Sequence, residues 1–339
     1  MNKFDLLSLG EIMLRLSPSI NERLTRSNSF EKKVGGAELN VLSGVSQLGL
    51  KTGIISKVPS NDIGEYAKNA IRFVGVSDDF LLFDHDKDAR LGIYFYENGA
   101  YPRKPRICYD RTNTSIQKIS EQEFPISMYT QTTCFHTTGI TLALCDHTKL
   151  CAIEMMKKFK AAGAIISFDV NFRSNLWSGP QAEHCINEIL PLVDIFFCSD
   201  STARLTFNKT GSTQEILKSF SDQYNISIVA ATNRIVHSPK IHSFTSIIYE
   251  KKSDSCFQEE PYKHIEVVDR IGSGDAYISG VLYGLLNYNM DPTKALEYGN
   301  ATAALKNTIP GDLQSLNKSE IDQIIATHKH QDLNLEMIR

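Results

Sequence analysis

The 339-residue sequence has no run approaching the ~20 consecutive apolar residues that a membrane helix requires. Its formal net charge of −3 is far from the strongly basic balance of proteins that grip nucleic acid. A small anionic substrate remains compatible with that charge, because one or two well-placed arginines suffice to bind it. Cys-x-x-Cys and His-Glu-x-x-His are both absent, and the 9 histidines are dispersed, so no structural metal site is expected. The 7 cysteines are scattered and odd in number. They read as free thiols of a reducing compartment, and the chain is expected to be cytoplasmic. The apolar part of Met1 to Gly10 is too short for a signal peptide and reads as a first strand. Internal repeats, low-complexity linkers and the Gly-x-x-x-x-Gly-Lys-Ser/Thr phosphate loop are also missing.

What is present is an alternation of strand-like and helix-like segments. Strands are expected at Phe4 to Leu9, Thr52 to Val58, Cys134 to Thr138, Ala164 to Val170 and Val193 to Cys198. Helices are expected at Ala37 to Leu48, Asp62 to Phe73, His147 to Ala162 and Gln181 to Leu190, with Gly49, Gly75 and Gly163 placed where C-terminal caps belong. Such alternation argues for an α/β fold with a mostly parallel sheet and helices on both faces. Ligands then sit beyond the carboxyl ends of the strands. Arg90 to Tyr96 and Arg106 to Arg111 break the rhythm. These extended runs flank a Gly/Pro-containing loop and predict a hairpin, joined by part of Ile12 to Val34 in a small second sheet. That sheet is either a lid, formed by segments of about 12–34 and 90–112, or a surface insertion.

The most informative stretch is His264 to Leu286. Ile265, Val267 and Val268 read as a short strand, followed by Asp269-Arg270-Ile271-Gly272-Ser273-Gly274-Asp275 and a helix over Ala276 to Leu286. Gly280 and Gly284 share one face of that helix, where a neighbour could come close. A strand, a glycine-rich turn and a helix start make an anion site, through free N–H groups and the helix dipole. On local grounds Asp275 could simply complement that dipole, worth ~0.3–1 kcal/mol.

The order of motifs gives Asp275 a larger role. The turn resembles the Asp-Thr-x-Gly-Ala-Gly-Asp signature of the ribokinase-like (PfkB) sugar kinases. Gly35-Gly36-Ala37-Glu38-Leu39-Asn40 resembles that family's Gly-Gly-x-x-x-Asn, and Gly10-Glu11 resembles its opening strand end. The resemblance implies one kinase domain over residues 1–339, with a three-layer α/β/α core and a β-sheet lid. It also implies Asp275 as base, and Gly272, Ser273 and Gly274 as anion hole. Asn171, Thr232 and Arg270 would serve the nucleotide; the implied cofactors are ATP, Mg²⁺ and a monovalent cation.

Within the family the chain is most similar to 2-keto-3-deoxygluconate kinases, on four segments. These are Gly10 to Pro18, Tyr109-Asp110-Arg111, Asp169-Val170-Asn171-Phe172-Arg173 and Ile309-Pro310-Gly311-Asp312. The resemblance implies sugar-acid contacts from Gly35, Gly36, Asn40, Tyr94, Tyr109, Arg111, Arg173 and Asp312. Arginine suits a carboxylate because its planar fork makes paired, charge-assisted hydrogen bonds. A phosphosugar would want arginines too. A homodimer or higher homo-oligomer through the lid is also implied.

Three positions depart from the family pattern. Ser199-Asp200-Ser201-Thr202 replaces Asn-x-x-Glu, leaving Asp200 to reach Mg²⁺ through water. Ala230-Ala231-Thr232-Asn233-Arg234 stands where Lys-x-Gly is common, and Arg270 replaces the signature threonine. The alternatives are a kinase for fructose, a phosphosugar or a nucleoside, and a sugar-acid sensor without turnover.

Overall fold

The computed structural model describes residues 2–330. The chain opens with β1 (Phe4–Leu9), β2 (Met13–Ser17) and β3 (Glu31–Gly35), then α1 (Ala37–Gln47), β4 (Thr52–Pro59), α2 (Asp62–Phe73) and β5 (Ser77–Asp84). The pair β6 (Gly92–Glu97) and β7 (Arg106–Asp110) follows. Next come β8 (Thr132–Thr138), α3 (Gly139–Ala143), α4 (Asp146–Ala161), β9 (Ile165–Asp169), α5 (Gly179–Ile189), β10 (Ile195–Phe197), α6 (Asp200–Thr206) and α7 (Thr213–Tyr224). The last third holds β11 (Ile228–Ser238), β12 (Ile241–Glu250), β13 (Ser255–Gln258), β14 (Tyr262–Glu266), α8 (Ser273–Asn287), α9 (Pro292–Asn307) and α10 (Lys318–His330).

The main sheet runs β13-β12-β11-β10-β9-β8-β1-β4-β5, with β14 pairing β12. From β11 to β5 every pairing is parallel, whereas β11, β12, β13 and β14 pair antiparallel. Its central strands are largely buried on both faces, as in a sheet covered on both sides. Alternate residues feed two cores. Leu7, Ile166, Phe168, Phe196 and Val229 pack on the side of α4, α5 and α7. Leu6, Ile195, Phe197 and Ile228 pack on the side of α1, α8 and α9.

Local chemistry explains the element ends. Asn61 caps α2 by accepting from the N–H groups of Ile63 and Gly64, worth ~1 kcal/mol. The strand–helix alternation expected from the sequence is present, with bounds shifted by at most three residues. Gly280 and Gly284 do lie on a closely approached face. A Cβ at Gly280 would stand 2.3 Å from the Tyr298 carbonyl oxygen, and one at Gly284 2.6 Å from Ala295 Cα, so α9 packs backbone to backbone against α8.

The second sheet, β3-β2-β6-β7, contains the expected hairpin. β6 and β7 are antiparallel, and β2 runs parallel to β6 with Arg15 opposite Tyr94. Met13, Tyr94, Ile107 and Tyr109 from this sheet line a cavity of about 560 Å³ beyond the ends of the main strands. The sheet therefore walls a cleft, which favours the lid over the surface insertion. No helix among the described residues is long and apolar enough to cross a membrane.

Candidate active site

The glycine-rich turn leaves the main sheet earlier than the sequence pattern suggests. The strand ends at Glu266, so Val267 and Val268 are not part of it. The Val267 N–H bonds to the Lys240 carbonyl at 2.8 Å, while those of Val268 and Asp269 both reach the Asn307 carbonyl, at 2.8 and 3.2 Å. This diversion carries the chain to the end of α9 and turns it toward the cleft. Gly272 then takes φ 80°, and a Cβ there would lie 2.7 Å from the Asp312 carbonyl oxygen. The turn needs glycine on both counts.

Helix α8 starts at Ser273, placing Asp275 in its first turn. The Ser273 N–H bonds back to the Arg270 carbonyl at 3.2 Å. Among the described residues no backbone acceptor meets the N–H of Gly272 or Gly274. Among the described residues, nothing outside its own stretch of helix lies within 4 Å of where a Gly274 side chain would begin. Open space at a helix N-terminus with unmet donors fits an approaching phosphate.

Asp275 is half-buried on the cavity wall, and its Oδ2 accepts from Asn40 Nδ2 at 2.7 Å. Burial pushes its carboxyl up to about 6, against the pull of the Asn40 hydrogen bond and the Arg173 charge. Asp169, at the end of β9, is pushed up to about 7 by burial and by the charge of Asp275. Glu38 is also pushed up to about 7, chiefly by burial, and accepts from Thr138 at 2.7 Å and Thr141 at 2.6 Å. These acids do not form a metal cage: no group of three or more His, Cys, Asp or Glu converges to hold an ion among the described residues.

On the side of the small sheet, Tyr94 and Tyr109 sit opposite each other across β6 and β7, with ring centroids 5.9 Å apart. Tyr94 donates its hydroxyl to Asp312, whose other oxygen accepts from Arg15 Nη1 at 2.7 Å. Arg111 lines the cavity, but its guanidinium is already engaged: Nε donates to Glu11 Oε2 at 3.0 Å and Nη2 contacts the same oxygen. Arg173 is freer, donating to the Phe172 carbonyl at 3.1 Å. Asn171 lines the same cavity with φ 37° and its N–H on Asp169 Oδ1 at 3.1 Å. Gly36, Asn40, Arg270 and Asp312 are also on this wall; Gly35 is not, and packs behind it against Asp312.

A second cavity of about 720 Å³ adjoins the first and shares Ser199, Thr232, Arg234, Ser273 and Gly274 with it. Ser199 caps α6 by accepting from the Thr202 N–H at 3.2 Å. Asp200 faces this second cavity, held by Arg204 Nε at 2.8 Å and Thr213 Oγ1 at 2.9 Å. These partners keep its carboxyl below the ordinary value, the Arg204 hydrogen bond opposing the effect of burial. A water-mediated role at Mg²⁺ would have to be shared with that ion pair.

Residues 3–318 match the model of the pfkB family of carbohydrate kinases. The chain belongs to that family. A relative from Haloferax volcanii named 2-dehydro-3-deoxygalactonokinase is 30% identical, over 95% of this chain and 96% of its own. One from Bacillus subtilis named 2-dehydro-3-deoxygluconokinase is 28% identical, with 93% of each chain covered. The solved 2-dehydro-3-deoxygluconokinase of Thermotoga maritima superposes with a TM-score of 0.90 at 29% identity, covering 95% of this chain and 99% of that one. Central sheet, flanking helices and small second sheet are thus the ribokinase-like arrangement of pfkB kinases.

Several residues beside the cavity are given no role by the motif reading. Arg15, only 4% exposed, bridges Asp269 Oδ2 at 2.8 Å and Asp312 Oδ1 at 2.7 Å and lies 4.4 Å from the Tyr96 ring centroid. Asp269 in turn accepts from the N–H groups of Ile271 and Gly311, both at 3.0 Å. Lys306, fully buried, donates to the carbonyls of Asp269 at 3.2 Å and Ile309 at 3.1 Å. A signal for Arg15 exists: it is a lone charge inside Ile12-Met13-Leu14-Arg15-Leu16, where a buried strand should be apolar.

Proposed function

We propose that the chain transfers the γ-phosphoryl group of ATP to a hydroxyl of a 2-keto-3-deoxy sugar acid, with 2-keto-3-deoxygluconate going to its 6-phosphate. The observation that carries this reading is Asp275. Its carboxylate stands in the first turn of α8, beside the open N–H groups of the Gly272–Gly274 turn, and is oriented by Asn40. A base raised to about 6 is ionised at neutral pH, yet accepts a proton more readily than a free aspartate.

In this reading Asp275 takes the proton of the sugar hydroxyl as its oxygen bonds to the γ-phosphorus and the bond to ADP breaks. The N–H groups of Gly272 and Gly274 and the dipole of α8 stabilise charge on the transferring oxygens. Mg²⁺ supplies charge neutralisation on the phosphates when bound. Tyr94, Tyr109 and Arg173 hold the acceptor, and Arg173 is the side chain best placed to meet its carboxylate. Arg111 contributes through its bond with Glu11, which fixes the exit of β7.

The relative from Haloferax volcanii favours a second reading, in which the C4 epimer, 2-keto-3-deoxygalactonate, is the better acceptor. Coupled ADP release with both epimers, gluconate, fructose and adenosine, with and without Mg²⁺, tests these readings. Fastest turnover on a 2-keto-3-deoxy acid supports the proposal, and the ratio between epimers chooses between the two. Faster turnover on fructose or adenosine removes the substrate assignment. Sugar-acid binding without turnover on any acceptor removes the activity.

A further inference from the structure

Two cations lining the first cavity have no carboxylate partner among the described residues; the family resemblance implies a nucleotide role for Arg270 but none for Arg234. Arg234 lies on β11 opposite Phe244 and lines both cavities, while Arg270 precedes Gly272 and lines the first. Arg15, Arg111 and Arg204 are each held by a carboxylate. Arg234 and Arg270, by contrast, meet no acid among the described residues. Burial disfavours the Arg234 cation, and the charge of Arg270 disfavours it further.

Like charges facing one cavity without a counter-ion oppose folding, and an arriving anion reverses the sign of that interaction. The surroundings reinforce the same preference. Gly272 and Gly274 present N–H groups that meet no backbone acceptor among the described residues, and the positive end of α8 points into the same space. The second cavity contains Arg234 but neither Tyr94, Tyr109 nor Arg173, which separates the seam between the cavities from the acceptor wall.

We propose that Arg234, together with Arg270, clamps the phosphate chain of the nucleotide where the two cavities meet. The inference rests on the kinase reading and adds a residue to it. The planar guanidinium fork suits phosphate oxygens in pairs, so lysine would replace Arg234 only in part.

Calorimetric titration of Arg234→Gln, Arg234→Lys and Arg270→Gln with ADP, adenosine and 2-keto-3-deoxygluconate, each without Mg²⁺, tests the clamp. Both glutamine variants should bind ADP about 10- to 100-fold more weakly, as loss of a charge-assisted hydrogen bond implies. Adenosine and sugar-acid affinities should stay at wild-type values, and Arg234→Lys should recover part of the loss. Unchanged ADP affinity overturns the clamp. So does an equal loss for ADP and adenosine, which would mean a deformed pocket, or a loss confined to the sugar acid, which would place the arginines on the acceptor. If Arg234→Gln does not fold, Arg270→Gln carries the same comparison. Wild-type protein that binds neither ADP nor adenosine removes the kinase reading itself, whereas normal ADP binding in every variant removes only the clamp.

Discussion

Asn40 Nδ2 donates to Asp275 Oδ2 at 2.7 Å across a sequence separation of 235 residues. The bond joins the first turn of α1 to the first turn of α8, where the two glycine motifs of the sequence meet. It favours the ionised carboxylate while burial opposes it, and the balance leaves Asp275 at about 6.

Activity should therefore rise with pH through about 6 and level off above it, because the base works only when ionised. Asn40→Ala removes a donor to the charged form, so the rising limb should move to higher pH. Asp275→Asn should lower kcat at least ~100-fold while largely sparing sugar binding. Initial rates of ADP release from pH 5 to pH 9 check all three; an unmoved limb in Asn40→Ala would disprove the tuning.

Arg173 and Arg111 should separate in a paired measurement. Arg173→Ala removes a guanidinium with no carboxylate partner among the described residues, so sugar-acid affinity should fall about 10- to 100-fold with little change in Tm. Arg111→Ala leaves Glu11, which is 2% exposed, with only the Thr114 hydroxyl. It should therefore cost stability, roughly 3–5 kcal/mol for an orphaned buried charge. Sugar-acid titration and denaturant unfolding on both variants test the division; unaltered affinity in Arg173→Ala would refute its role.

Glu38 makes stability depend on pH in a direction that can be worked out. Its folded value of about 7 lies above the ordinary glutamate value, so the folded state holds the proton longer than the unfolded chain. The associated stability is present below the unfolded value and is lost as pH rises through about 7. Glu38→Gln can still accept from Thr138 and Thr141 without ionising. Its Tm relative to wild type should be higher at pH 8 than at pH 5, corresponding to a differential of order 3 kcal/mol. Calorimetry at the two pH values decides, and a constant difference would contradict the shift.

Arg15→Met should leave Asp269 and Asp312 buried without their cation, costing about 3–5 kcal/mol. Arg15→Lys should restore part of that, since one ammonium cannot reproduce the fork that meets both carboxylates. Chemical denaturation of the three proteins gives the comparison.

The α/β core was largely legible because its signals are local. Asn61 and Gly75 bracket α2, and Gly49 and Gly163 follow α1 and α4 where the caps are needed. The turn Gly272-Ser273-Gly274 was readable for the same reason, since a left-handed residue before a helix start demands glycine. The end of β14 was not, because Val267 and Val268 keep strand-like side chains while their N–H groups turn to Lys240 and Asn307. Tertiary hydrogen bonding overrides β-propensity there. The commitments of Arg111 to Glu11 and of Arg15 to Asp269 and Asp312 link residues far apart in the chain, which no spacing rule encodes. The pairing of Asp200 with Arg204 is different: the i, i+4 interval was visible, and it accounts for where that carboxylate goes.

Arg15 sets how the small sheet is able to move. Its strand, β2, lies between β3 and β6 and is pinned to the loops of Asp269 and Asp312, whereas β7 is a marginal strand with mostly exposed side chains. The sheet is tied most firmly along its inner strands, where Arg15 of β2 and Tyr94 of β6 both meet Asp312. Amides of β2 should exchange with deuterium only when the whole core opens, and those of β7 far sooner.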